Sequence, residues 1–214
     1  MLRRNGLRLL LVAAVLVVSA TANSQSVPAA TEGRTSQTLM LGVGFSDYDT
    51  DWTYGLFSRT VAKSGPLNGT AVRMEGVSVW LDWKPTELPT RLRGLGIEVE
   101  GRDVNFGKPS TLPRLRQDTG LGGLIYSHPI HRTFHPYVKY LAGIGSIDFP
   151  DLRFPNYTHD TRTLTAPGGG LEYSLGRGLT VRGDYEYQFW PKFLGTQLTL
   201  DPNGYTVGVS YSIR

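Results

Sequence analysis

Near its C-terminal end the chain sorts side chains by alternate position. From 205 to 213, Tyr205, Val207, Val209, Tyr211 and Ile213 fall on one face, and Thr206, Gly208, Ser210 and Ser212 on the other. From 179 to 190, Leu179, Val181, Gly183, Tyr185, Tyr187 and Phe189 alternate with Thr180, Arg182, Asp184, Glu186, Gln188 and Trp190. A period of two is that of an extended strand, whose successive side chains leave opposite faces. The same sorting recurs upstream. Leu39, Leu41, Val43 and Phe45 oppose Met40, Gly42, Gly44 and Ser46; Val77, Val79, Leu81 and Trp83 oppose Ser78, Trp80 and Asp82; Leu95, Ile97 and Val99 oppose Gly94, Gly96, Glu98 and Glu100. Val138, Tyr140, Ala142 and Ile144 oppose Lys139, Leu141, Gly143 and Gly145. Two further stretches sort poorly, because Leu124 and Ile125 are adjacent and Pro167 precedes three glycines.

Turn residues divide the pattern into eight expected strands, at 38–47, 73–84, 91–103, 117–128, 135–147, 162–175, 178–190 and 204–213. No apolar stripe of helical period interrupts them. The connections alternate: long at 48–72, 104–116, 148–161 and 191–203, short at 85–90, 129–134 and 176–177. An even number of strands with long loops at one end and short turns at the other is the rhythm of an antiparallel membrane barrel. Each strand also has about the 9–11 residues a tilted strand needs to cross a bilayer. The fold expected is all-β, an eight-stranded antiparallel up-and-down transmembrane β-barrel over 37–214. Trp83, Tyr126, Tyr137, Tyr173 and Tyr211 at the short-turn end and Phe45, Tyr187 and Phe189 at the long-loop end form two candidate aromatic girdles, although aromatic residues are also simply common in strands.

The first 22 residues explain the destination. Arg3, Arg4 and Arg8 precede an apolar run from Leu9 to Val18, too short to span as a helix, and Ala20-Thr21-Ala22 supplies small residues for cleavage. Residues 1–22 therefore read as an export signal and 23–36, rich in Ser, Ala and Thr, as a flexible periplasmic leader. The location expected is the bacterial outer membrane. Charge supports no nucleic-acid partner: the chain carries +4, and without the three arginines of the signal it holds 19 basic against 18 acidic residues. There is no cysteine, so no disulfide holds this exported fold together.

With the apolar face toward lipid, Asp82, Glu98, Glu100, Arg102, Lys139, Glu172, Arg182, Asp184 and Glu186 point into the lumen. Buried charges persist only when paired or wet, and eight strands enclose a bore that side chains can fill. The expected arrangement is a polar network that plugs the lumen; the alternative is a thread that conducts ions or protons. In a soluble exported barrel the faces would be reversed, with a small apolar ligand inside.

Phe134-His-Pro-Tyr-Val-Lys-Tyr-Leu-Ala-Gly-Ile-Gly, Gly168-Gly-Gly-Leu-Glu-Tyr-Ser-Leu, Val181-Arg-Gly-Asp-Tyr-Glu-Tyr-Gln and Gly208-Val-Ser-Tyr carry a resemblance. Over 38–214 the chain resembles the small bacterial outer-membrane β-barrel proteins, of the opacity and OmpA type. The resemblance implies a structural, adhesive or surface-exposed protein, with a minority of lipid-modifying enzymes as the second possibility. It also implies outer-membrane lipid and, during biogenesis, the barrel-assembly machinery as partners. Such barrels usually end in an aromatic residue, whereas this chain ends Ile213-Arg214, leaving Tyr211 to serve.

No cofactor, metal site or catalytic residue is assigned. His128, His131 and His135 cannot share a helix face because Pro129 and Pro136 interrupt them, and a polar turn accounts for them. His159, beside Thr158 and Asp160 in a long loop, would need a hydroxyl or carboxylate partner to act in hydrolysis. Asn68-Gly-Thr and Asn156-Tyr-Thr read as turns. The first long loop brings Asp47, Asp49 and Asp51 together with Trp52, Tyr54 and Phe57, suited either to contacting a surface ligand or to folding over the barrel mouth. The function expected is a non-enzymatic barrel with a plugged lumen and surface-exposed loops, the alternatives being a lipid-modifying enzyme or a narrow pore.

Overall fold

The computed structural model describes residues 37–51, 73–85, 88–107, 115–128, 130, 133–148, 159–195, 197 and 199–213. The export signal, the leader, Trp52, Tyr54, Phe57, His131 and both Asn triplets lie outside the described residues.

Eight strands follow in chain order: β1 (Gln37–Asp49), β2 (Arg73–Pro85), β3 (Leu95–Phe106), β4 (Arg116–Ser127), β5 (Phe134–Asp148), β6 (His159–Gly176), β7 (Leu179–Tyr187) and β8 (Asn203–Ile213). Each pairs antiparallel with its neighbour, and β1 pairs with β8, closing the barrel. Closure leaves no edge whose unpaired backbone groups would face hydrocarbon. Because the side-chain period is two, the register also fixes which face every residue takes.

That register turns the protein inside out relative to a soluble barrel. Val43, Val79 and Val209 stand abreast on β1, β2 and β8, and all are exposed, as are Phe45, Val77, Val99, Ile144 and Val207. The opposite face buries Asp82, Glu98, Arg182 and Glu186. A continuous apolar exterior of this extent is unstable in water and stable in a bilayer. The chain is a transmembrane barrel, and the reversed, soluble arrangement is excluded by the direction of its charged side chains.

Several boundaries and orientations differ from the sequence expectation. β3 begins at Leu95 rather than 91, because 90–92 forms a 3-10 turn and Gly94 takes φ of 100°. β6 begins at His159, three residues earlier than expected, and β7 stops at Tyr187 rather than 190. β1 runs on to Asp49, so Asp47 and Asp49 belong to a strand rather than a loop. Tyr137 is no girdle residue: it shares the inward parity of Lys139 and is buried. Of the two poorly sorted strands, β4 sends Ile125 inward and Leu124 outward, and β6 sends Leu164 and Ala166 inward.

Candidate functional site: the lumen network

All nine charged residues of the expected lumen set are buried, and the register brings them together. Asp82 of β2 stands opposite Glu98 of β3, and Glu172 of β6 opposite Arg182 of β7. Lys139 of β5 lies at the centre. Its Nζ is 2.7 Å from Glu100, 2.9 Å from Glu186, 3.3 Å from Glu98 and 3.7 Å from Asp184. Arg182 reaches Glu98 at 2.8 Å, Asp184 at 3.0 Å and Asp82 at 3.4 Å. Arg102 binds Glu186 at 2.7 Å and also pairs with Glu100. Lys84 meets Glu172 at 3.1 Å nearer the short-turn end.

Aromatic and amide groups that the sequence reading left out complete the network. Tyr48 donates its hydroxyl to Glu186 at 3.0 Å, and the Arg102 guanidinium lies 4.3 Å from the centre of its ring. Tyr137 donates to Asp184 at 2.6 Å and accepts from Arg182 at 2.6 Å. Arg182 also stacks over the rings of Tyr137 and Trp80. Gln188 donates to Glu186 at 2.9 Å and accepts from Gln117 and Trp190. The signal that could have found Tyr48, Tyr137 and Gln188 was parity alone: Tyr137 and Gln188 share the inward register of a charged neighbour two residues away, Lys139 and Glu186, and Tyr48 that of Ser46.

Toward the long-loop end the lumen changes character. Tyr48, Met74, Ile147, Leu164, Trp190 and Phe193 belong to one buried apolar cluster. Its keystone comes from the β7–β8 connection, which folds inward instead of extending away. Trp190 pairs by backbone with Leu200, at 2.9 and 3.1 Å, and its ring fills space that a Cβ on Gly145 would occupy. Asp51, just beyond β1, fastens this connection by accepting the Asp201 N–H at 2.9 Å. Burial holds the Asp51 carboxyl above the ordinary carboxylate range; the bond from Asp201 opposes that shift, and the neighbouring Asp201 and Asp49 charges add to it. Above the ion pairs, then, buried apolar side chains line the lumen. The arrangement can brace a barrel and exclude water.

A second polar group lies outside the barrel, at the long-loop rim. Asp148 opposes His159 and Ser146 opposes Thr161 across β5 and β6. His159 Nδ1 is 2.6 Å from Asp148, Nε2 is 2.9 Å from Thr161, and Ser146 Oγ is 3.4 Å from either nitrogen. His128 follows β4 and His135 lies within β5, so the structure brings neither to His159.

No protein-family model matches the chain, and no curated protein does either. Solved structures do. The chain is similar to neisserial surface protein A, at 10% identity, over 84% of this chain and 99% of that one, with a TM-score of 0.56. It is similar to Ail, the attachment invasion locus protein of Yersinia pestis, at 14% identity, over 83% and 97%, with a TM-score of 0.50. The N-terminal β-barrel domain of Pseudomonas aeruginosa OprF matches at 11% identity, over 84% and 98%, with a TM-score of 0.50. At such identities the likeness concerns the fold: this chain has the fold of the small eight-stranded outer-membrane barrels.

Proposed function

We propose that the chain is a non-enzymatic barrel of the bacterial outer membrane, a rigid anchor whose lumen carries no solute and whose long loops perform its recognition at the cell surface. The observation that supports this reading most strongly is the Lys139 cluster. It pairs inward-facing side chains of β3, β5 and β7 with one another across the bore, which is what a plug requires. The apolar cap around Trp190 adds a dry barrier above it. Outer-membrane lipid and the assembly machinery are the partners this reading requires. Attachment, the role in Ail's name, is one task such loops could perform.

The test has two parts. The full chain, expressed with its signal and recovered in outer-membrane fractions, should run faster unboiled than boiled on a denaturing gel. Purified protein in planar bilayers should give no steady conductance. A soluble periplasmic protein would refute the membrane assignment. Conductance that changes on neutralising Glu98, Arg182 or Glu186 would replace the plug with a narrow pore.

A second reading rests on the Asp148–His159–Thr161 chain. A carboxylate on one imidazole nitrogen and a hydroxyl on the other is the arrangement that activates a hydroxyl nucleophile. Its place at the rim would offer it the ester bonds of membrane lipids. Acyl-ester hydrolysis by the purified barrel that disappears in His159→Ala and persists in Lys84→Ala would establish that activity in place of the non-enzymatic reading.

A further inference from the structure

The β6–β7 hairpin turns through Gly176, Arg177 and Gly178 with φ of 87°, 54° and 83°. Consecutive left-handed residues at 177 and 178 make the tight turn whose twist suits a hairpin, and its first central position favours Asn, Asp or Gly. Arginine there meets a steric penalty and offers none of the local hydrogen bonding that Asn or Asp would bring. Its side chain is exposed and forms no ion pair among the described residues. A non-glycine residue kept in a disfavoured region invites a search for what it binds.

Beside it opens a recess of about 410 Å³, lined by Arg177, Gly178, Tyr211, Ser212 and Ile213. Its frame is fixed, because the Ser212 N–H donates to the Gly178 carbonyl at 2.8 Å. Tyr211, Ile213 and the flanking Leu179 are exposed on the lipid-facing side. The recess thus sits at the short-turn end, where the apolar belt stops. A planar cation that can bind two oxygens at once lines a recess it shares with Tyr211 and Ile213. Guanidinium suits phosphate, and Tyr211, Ile213 and Leu179 suit the glycerol and upper acyl chains next to it.

We infer that this recess binds one phospholipid of the periplasmic leaflet, with Arg177 holding its phosphate. The inference rests on the barrel's insertion in a membrane and is independent of whether its loops or its rim carry the function.

The full-length protein, purified in a phosphate-free maltoside detergent, is titrated with phosphatidylglycerol, and retained lipid is counted by native mass spectrometry. Arg177→Asn removes the cation while placing a favoured residue in the turn; Arg177→Lys keeps the charge without the planar fork. Wild type should retain one lipid at a concentration about tenfold lower than Arg177→Asn requires, the loss of one charge-assisted contact. Arg177→Lys should fall between them. Heat-shifted mobility of each variant reports whether the barrel itself formed, separating a failed barrel from a failed lipid site. Equal retention by wild type and Arg177→Asn would overturn the inference. So would displacement of the lipid by an equal concentration of inorganic phosphate, which would make the recess a site for free anions. If Arg177→Asn does not form a barrel, that competition on the wild type still decides the matter.

Discussion

Lys139 sits where four carboxylates converge, and among the described residues no other cation pairs with all of them: Arg102 serves Glu100 and Glu186, while Arg182 serves Glu98, Asp184 and Asp82. Removing one partner from a buried pair leaves its opposite charge uncompensated, which costs about 3–5 kcal/mol. We therefore expect Lys139→Met to destabilise the barrel by roughly that amount, more than Lys84→Met, whose side chain is partly exposed and meets Glu172 alone. The temperature at which the fast-running gel band converts to the slow one measures the difference, and equal shifts for the two variants would contradict it. Asp51 supports a second expectation with the opposite relation to pH. Its carboxyl is held up by burial in the fold, so ionisation costs stability above the folded pKa, and that cost fades as pH falls toward the ordinary carboxylate range. Asp51→Asn keeps an oxygen for the Asp201 N–H and removes the titration. The conversion temperature of the wild type minus that of Asp51→Asn should rise as pH is lowered from neutral; a flat difference would show that Asp51 does not titrate with folding.

At the scale of elements, the β7–β8 connection acts as a part of the core. Trp190 is fully buried and donates to Gln188 at 2.9 Å, and Gly145 on β5 leaves room for its ring. Trp190→Ala should cost about 3–5 kcal/mol, the usual range for emptying a packed aromatic site. On the proposed plugged-lumen reading the Lys139 cluster still spans the bore beneath, so the same variant should give no new conductance in planar bilayers. A variant that conducts while keeping its heat-shifted band would make Trp190 the seal and demote the ion pairs. This element also marks where the sequence stopped being legible. In β1, β2, β3, β7 and β8 the rule of apolar outside and polar inside assigned the faces, since lipid and a charged lumen demand opposite residues. In β4 and β6 the lumen toward the long loops is itself apolar, so Leu121, Leu164 and Ala166 face inward, as Ile125 does nearer the short-turn end, and together they blur the alternation. Tyr137 was misplaced for a related reason. An aromatic near a strand end suits a girdle, but its parity with Lys139 outweighed that preference. The nine lumen charges could be read because each falls at an inward position; which of them pair could not, because pairing depends on register across strands far apart in the chain.

For the whole molecule the controlling fact is that two solvents meet the same sheet, hydrocarbon outside and a buried polar cluster inside. A charge placed at the middle of the outer face should therefore cost more than one removed at its rim. Val43 lies midway along β1, exposed between Val79 and Val209. Arginine at the lipid-facing middle of a barrel costs about 2–4 kcal/mol, with less penalty toward either interface. Val43→Arg should lower folding yield into lipid vesicles by that measure, whereas Asp47→Ala, on the same outward face at the long-loop rim, should cost only the exposed ion pair with Arg73, roughly 0–1 kcal/mol. The comparison is made by urea titration of vesicle-inserted protein, with the band shift as the readout. Equal costs at the two positions would mean that Val43 does not lie in hydrocarbon, and the belt of exposed aliphatic residues would then need another explanation than a bilayer. A graded cost would fix the depth of each strand and set the long-loop rim, with His159, at the level where lipid headgroups begin.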